Sequence, residues 1–401
     1  SMREGWDRLQ FGDVAKLDVR KAQVVEGKLY PIVGVLAYGR GLLYRDPVSL
    51  GSTSYREMNL IRPGQMVYSK LKAFEGAITV APEGLTESYA SGEFPTFTAT
   101  DRVQPAFLRL MTQRPGLWKA MAANSKGLGG RRERLNPVDF LALPALFPPV
   151  PEQRRIVDLI GALDDVAGAL ADAINAAQET RGFLLEALLA RLPEATALKP
   201  MGSVGVFLRG RRFTKSDYVD EGLGCIHYGQ IHTHLGSVTT HPLTFVPEEM
   251  RGRLRLASPG DVVVAATSED VEGLGKATAW LGKDDVAVHD DCYIFRHSLD
   301  PRFATHLFAS KGFQRQKVQF AAGTKVTRIS GANLGRIEVP VPDLADQTVI
   351  GQTMSDLDAT LDSLTLERSR VRSLRSHALA VLLSGEHEIP KSYDGLMEVP
   401  S

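Results

Sequence analysis

Phe147-Pro148-Pro149-Val150-Pro151-Glu152-Gln153-Arg154-Arg155-Ile156-Val157 opens the longest periodic stretch of this 401-residue chain. The prolines end whatever precedes them and fit the first turn of a helix. Beyond them Ile156, Ile160, Leu163, Ala167, Leu170, Ile174, Ala177, Leu184 and Leu188 recur at steps of four and three, with Arg181 as the polar interruption. A 3.5-residue period held over about five heptads predicts a coiled-coil seam. The same plan returns 194 residues later. There Val341-Pro342-Asp343-Leu344-Ala345-Asp346-Gln347 leads into Ile350, Met354, Leu357, Leu361, Leu364, Val371, Ala378 and Leu382, interrupted by Arg368 and Arg375. Gln153 thus answers to Gln347, Leu163-Asp164 to Leu357-Asp358, and Leu188-Leu189 to Leu382-Leu383. A repeat this long is a domain plus a helix, not a solenoid unit.

Each helix should run about 40 residues, or roughly 60 Å. A single apolar stripe has to be covered, and the repeat supplies the partner. Copies related by a pseudo-twofold axis would pair antiparallel, whereas the plainer alternative lays each helix on its own domain. The expected fold is α+β: two mixed α/β domains joined by two long antiparallel coiled-coil helices. Its segments are 1–147, 148–192 (first helix), 193–340, 341–384 (second helix) and a tail, 385–401. Val-rich strands are expected at Gln65–Ser69 and Asp261–Ala266, after the turns Pro63-Gly64 and Pro259-Gly260. Outside such anchors the two interiors differ almost completely, as two readers of different ligands on one scaffold would.

The chain is formally neutral, but its charge is uneven. The helices and tail are acidic, so segments 1–151 and 193–345 together carry +7, compatible with a local nucleic-acid footprint. Cys225 and Cys292 form no CxxC spacing, which argues against a disulfide framework and suits a reducing cytoplasm. No apolar run reaches the ~18 residues of a membrane span, and no signal peptide is expected. Ser1 ahead of Met2 reads as a cloning remnant before a natural start.

Catalytic motifs are missing from the sequence. Asn136-Pro137-Val138-Asp139-Phe140 lacks the second proline and adjacent aromatic of an adenine methyltransferase, and reads as an element lead-in. There is no Walker loop. Asp284-Asp285 and Asp290-Asp291 read as solvated turn carboxylates, and His227, His232, His234 and His241 lack a companion ligand spacing for zinc. No metal site is expected. Trp6, Trp118 and Trp280 read as core.

Two basic loops occupy equivalent repeat positions. Gly127-Leu128-Gly129-Gly130 runs into Arg131, Arg132 and Arg134, and Gly323-Thr324-Lys325-Val326 into Thr327 and Arg328. Such loops allow close approach to phosphates or guanine edges. Arg209, Arg211, Arg212 and Lys215 form the densest basic stretch of the second half. His227, Tyr228, Gln230 and His232 would display hydrogen-bonding edges beside it. Tyr38, Arg40, Lys70, Lys72 and Ser268 complete the candidate DNA-binding set.

These segments resemble the specificity subunits of Type I restriction–modification systems over nearly the whole chain. The marks are the Phe147–Val157 segment, its weaker copy at 341–350, and motifs in each globular part. Those motifs are Tyr38-Gly39-Arg40-Gly41 with Phe74-Glu75-Gly76-Ala77, then Arg209–Tyr218 with Ile226–Thr233. The second copy departs by Asp346 for Glu and by lacking arginines after Gln347. The resemblance implies a non-catalytic bacterial or archaeal cytoplasmic subunit of two target recognition domains, each reading half of a bipartite asymmetric site in double-stranded DNA. The coiled coil would set the spacing and dock two copies of a SAM-dependent adenine methyltransferase subunit, to which a motor-nuclease restriction subunit can add. SAM, ATP and Mg are expected only in those partners. The rival reading is a structural coiled-coil adaptor without DNA recognition.

Overall fold

Both long helices form, with their starts set by the proline clusters. The computed structural model describes residues 5–127, 133–323 and 326–397, with continuous helices at Val150–Ala190 and Leu344–Ser384. Seam positions Ile156, Ile160, Ile174, Ile350, Met354 and Leu382 are buried, whereas Asp165, Val166 and Arg370 between them are exposed.

The chain divides into two compact units, Ser1–Gly168 with Ser369–Ser401, and Ala169–Arg368. Each unit therefore holds the start of one long helix and the end of the other. In the first unit Ile156 and Ile160 share a core with Leu379, Leu382 and Leu383, while Asp164 meets Arg375. Numbers that rise along one helix as they fall along the other make the pair antiparallel. In the second unit Leu185 shares a core with Ile350 and Met354, and Arg181 meets Asp358. The plainer alternative holds for half of each helix only: each starts on its own globular part and ends in the core of the other repeat's unit.

The units share a frame. Asp7–Gln10 pairs antiparallel with Pro144–Phe147, as Leu198–Pro200 does with Glu338–Pro340. Helices Pro105–Met111 and Pro301–Leu307 occupy equivalent repeat positions. Pro137, after the N-capping Asn136, opens helix Pro137–Leu141. Within the frame the sheets differ. The first unit has a four-stranded sheet in the order Ala15–Leu17, Thr96–Ala99, Met66–Tyr68, Ile78–Val80. Its five-stranded sheet runs Arg20–Gln23, Glu57–Ile61, Ser88–Ala90, Tyr30–Val35, Leu42–Val48. The second unit has Gly205–Arg209, Cys292–His297, Val262–Ala265, Ala277–Trp280, Val238–Thr239 in one sheet. Thr244–Val246, Leu223–Ile226, Val286–Val288, Arg255–Ala257 make the other.

The glutamine of each proline segment locks the frame. Gln153 is fully buried, donates to the carbonyls of Arg102 and Pro148 (both 2.9 Å), and accepts from the Gln104 amide at 3.0 Å. Gln347 repeats the pattern, donating to the Pro342 carbonyl at 2.8 Å and accepting from the Asp300 amide at 2.9 Å. Gln104 and Asp300 stand at the N-cap positions of the equivalent helices, and the Asp300 side chain accepts from the Arg302 and Phe303 amides. An amide carrying both donors and an acceptor is what an unpaired helix start beside a proline turn needs.

Trp6 and Trp280 are core residues, and Trp118 is half-buried, its indole donating to the Thr112 carbonyl at 2.8 Å. No helix among the described residues is long and apolar enough to cross a membrane.

Candidate nucleic-acid interface

The densest basic stretch is a turn pressed against a strand. Gly210 donates to the Cys292 carbonyl at 3.0 Å and Arg211 to that of Val288 at 2.9 Å. A Cβ at Gly210 would lie 2.0 Å from the His289 carbonyl oxygen, so only glycine permits this approach. Arg209 and Arg211 spend one nitrogen each on the carbonyls of Asp290 and Arg253. Arg212 and Lys215 are exposed and have no carboxylate partner among the described residues. Phe213 anchors the turn in a small core with Leu223, Cys225 and Val246.

His289 ties that anchor down. Its Nε2 meets the Phe213 carbonyl at 2.9 Å and its Nδ1 meets Asp291 at 2.8 Å. Burial works against its protonation, but the Asp291 hydrogen bond and the charges of Asp291 and Asp290 outweigh it, so its pKa is raised above 6.5. Asp291 is therefore a structural partner, not the solvated turn carboxylate expected. Because the folded value is raised, this stabilisation is complete below pH 6.5 and is lost as pH rises through the raised value. His289→Gln should accordingly destabilise the chain more at pH 6 than at pH 8.5, as read by urea unfolding. An equal loss at both pH values would contradict the ion pair.

The histidine-rich stretch is a short helix, Tyr228–Thr233, not an open loop. His227 precedes it, and its ring stacks against Tyr218 with centroids 6.4 Å apart. Burial pushes the His227 pKa down, so the ring is neutral at pH 7. The far end reaches the 267–268 strand, where the His232 ring lies 3.4 Å from the Thr267 carbonyl. That strand pairs with Thr327–Arg328, bringing Ser268 opposite Thr327. The basic turn, His227, Tyr228, His232 and Arg328 are thus strung along one helix and its neighbours. Three expected readers are turned inward instead. Gln230 is buried because its amide caps the helix, accepting from the His227 amide and donating to Thr244. Ser268 and Thr327 are buried because their strand pairing faces them into the fold.

Both Gly-rich loops are closed by the same backbone bridge, Lys126 with Arg134 and Ala322 with Arg328. Arg134 is exposed and pairs with Glu93 at 3.4 Å. Arg131, Arg132 and Lys325 lie outside the described residues. Lys70 is half-buried, with its amide and carbonyl bonded to Glu93 and Leu135, and Lys72 pairs with Glu75. Tyr38 and Arg40 are exposed on a turn beside a cleft that also reaches the long helices of that unit.

In each unit one ion pair links the long helices. Arg375 grips Asp164 through two nitrogens at 2.7 and 3.0 Å, and donates to Gln113. Its repeat counterpart Arg181 pairs with Asp358, which also accepts from Ser237. Beside that pair lies His306, which burial pushes down to about 4 against the pull of Asp358, leaving a neutral Nδ1 near Arg181. Arg181 and Arg375, two of the three arginines that interrupt the seams in the sequence, are the donors of these pairs. They and the His289–Asp291 pair were not among the residues that the sequence singled out for DNA contact; only the Asp and Arg matching at the repeat offset signalled any of them.

The family model for the Type I restriction modification DNA specificity domain matches residues 260–371. The Type I restriction enzyme StySPI specificity subunit of Salmonella potsdam is 27% identical over 206 residues, 49% of this chain and 44% of that protein. The matched part thus spans under half of that relative's length. The fold extends the likeness to almost the whole chain. A chain solved in work on complex assembly and conformational transition of the type I R-M system superposes with a TM-score of 0.58 at 18% identity, covering 96% of this chain and 98% of that one. Residues 260–371 thus match a Type I DNA specificity domain, and nearly the whole chain is similar in fold to solved Type I chains. A second specificity subunit, the Type-I restriction-modification system S subunit from M. genitalium, has a TM-score of 0.55 at 14% identity, covering 95% and 97%.

Proposed function

We propose that this specificity subunit reads a bipartite, asymmetric sequence in double-stranded DNA, one half with each unit. The observation that carries the reading is a frame repeated down to matched hydrogen bonds and ion pairs, holding two interiors with unlike sheets. One scaffold with two different readers suits a target whose halves differ. The long helices set the unspecified gap between those halves and dock two SAM-dependent adenine methyltransferase subunits; a motor-nuclease subunit completes the restriction assembly. The chain performs no chemistry and takes no cofactor, leaving SAM, ATP and Mg to its partners.

Purified full-length chain, supplied with duplex DNA, SAM, ATP and Mg, should therefore neither methylate, cleave nor hydrolyse ATP. It should bind duplex with an affinity that falls steeply as salt rises, since phosphate neutralisation releases counterions. Methyl transfer by the isolated chain would make it an enzyme, and salt-independent or absent DNA binding would favour the adaptor reading.

A further inference from the structure

The Tyr38–Gly41 turn, the end of helix Pro105–Met111 and the two long helices of the first unit enclose a cleft of about 420 Å³. Four guanidinium groups line it, from Arg40, Arg109, Arg372 and Arg375, against one carboxylate, Asp164. Arg375 is spent on Asp164 and Gln113. Arg40, Arg109 and Arg372 have no carboxylate partner among the described residues, and Arg40 makes only a bond to its own turn, at the Ala37 carbonyl. Three uncompensated arginines from three separate elements therefore converge on one opening.

The support is rigid. Tyr38 holds φ at 60°, a conformation tyrosine seldom adopts, through its amide bond to Glu75 and an edge contact with Trp118 at 5.5 Å. Gly39 donates to the Gly76 carbonyl, and a Cβ there would sit 2.5 Å from the Thr112 carbonyl oxygen. Arg40 is thereby presented from a fixed backbone, which favours a defined contact over a mobile surface charge.

The second unit supplies an internal control. Its cleft is built on the equivalent pair, Arg181 with Asp358, yet the position of Arg372 is taken by Gln178 and that of Arg109 by Thr305. Asp270, Glu272 and Asp362 line it as well. Were the arginines a requirement of the frame, the repeat would keep them. Guanidinium forks match phosphate oxygens in geometry and charge. We propose that the first unit's cleft binds a backbone phosphate of duplex DNA, and that the long helix, through Arg372, touches DNA directly in that unit only. This rests on the DNA-reading proposal and assigns a phosphate site to the frame itself.

The test is the salt dependence of duplex binding by the full chain. Arg109→Ala with Arg372→Ala should flatten the slope of log affinity against log salt by about 0.9 for each phosphate no longer neutralised. The weakening should be equal on target and scrambled duplexes, should be largely reversed by lysine at both positions, and should leave thermal unfolding unchanged. Gln178→Ala should alter nothing. An unchanged slope in the arginine variant, with the parent still salt-dependent, would overturn the cleft assignment and spare the DNA reading. Weakening confined to the target duplex would mean base reading and would also overturn it. Inorganic phosphate raising the melting temperature of the parent but not of the variant, with an unchanged DNA slope, would identify a free-anion site instead. A parent without salt-dependent binding would sink the functional proposal first.

Discussion

Gln153→Leu should destabilise the chain by about 3 kcal/mol or more, although leucine nearly fills the same space. The substitution leaves the Gln104 amide and the Arg102 and Pro148 carbonyls without their buried partner. Each unsatisfied buried group costs about 1–3 kcal/mol, and Gln153 is fully buried, so water offers little relief. Gln347→Leu strands fewer groups and should cost less, since it loses the Asp300 amide and the Pro342 carbonyl. The neighbouring Arg154 is exposed, and Arg154→Ala should change stability by no more than about 0.5 kcal/mol. Urea unfolding of the three variants against the parent measures this. A Gln153→Leu protein as stable as Arg154→Ala would mean that the glutamine is not the frame's lock.

Arg211→Ala with Arg212→Ala should weaken binding of the methyltransferase-assembled complex to its target about tenfold to a hundredfold. Among the described residues Arg212 is exposed without a carboxylate partner, and Arg211 uses one nitrogen on the Arg253 carbonyl, with no other partner for its fork. A bidentate arginine–guanine pair is worth about 1–3 kcal/mol, and a phosphate contact adds a salt-sensitive share. The turn itself should survive, because Phe213, Gly210 and His289 hold it through groups the substitutions do not touch. Competition titration with duplexes altered in one half or the other should show discrimination abolished in one half alone. Undiminished affinity and discrimination would make the turn solvated surface.

How much was legible in the sequence depends on the range of the signals. The long helices were legible because a 3.5-residue period and a proline start are local patterns repeated many times. The frame was legible because Gln153 and Gln347 stand at one offset. Which side chains face outward was not. Gln230 looks like a base reader in sequence, and only the fold of 227–233 shows its amide committed to capping. Ser268 and Thr327 turn inward because they pair with each other, across a separation that no local pattern encodes. The arginine cleft draws on positions 40, 109 and 372, which only tertiary packing brings to one place. Arg181 and Arg375 stood in the sequence as flaws in a seam. They are its polar cross-links, made by aspartates that the repeat had already matched.

The most direct measurement is methylome sequencing of a host lacking other modification systems that expresses this chain with the adenine methyltransferase proposed as its partner. The account predicts methylated adenines in a single motif of two unlike, defined halves separated by a fixed run of unspecified bases. Exchanging the first unit's globular part for that of another specificity subunit should replace one half and leave the other half and the gap unchanged. A continuous or palindromic motif, or methylation of the same sites when this chain is left out, would contradict it.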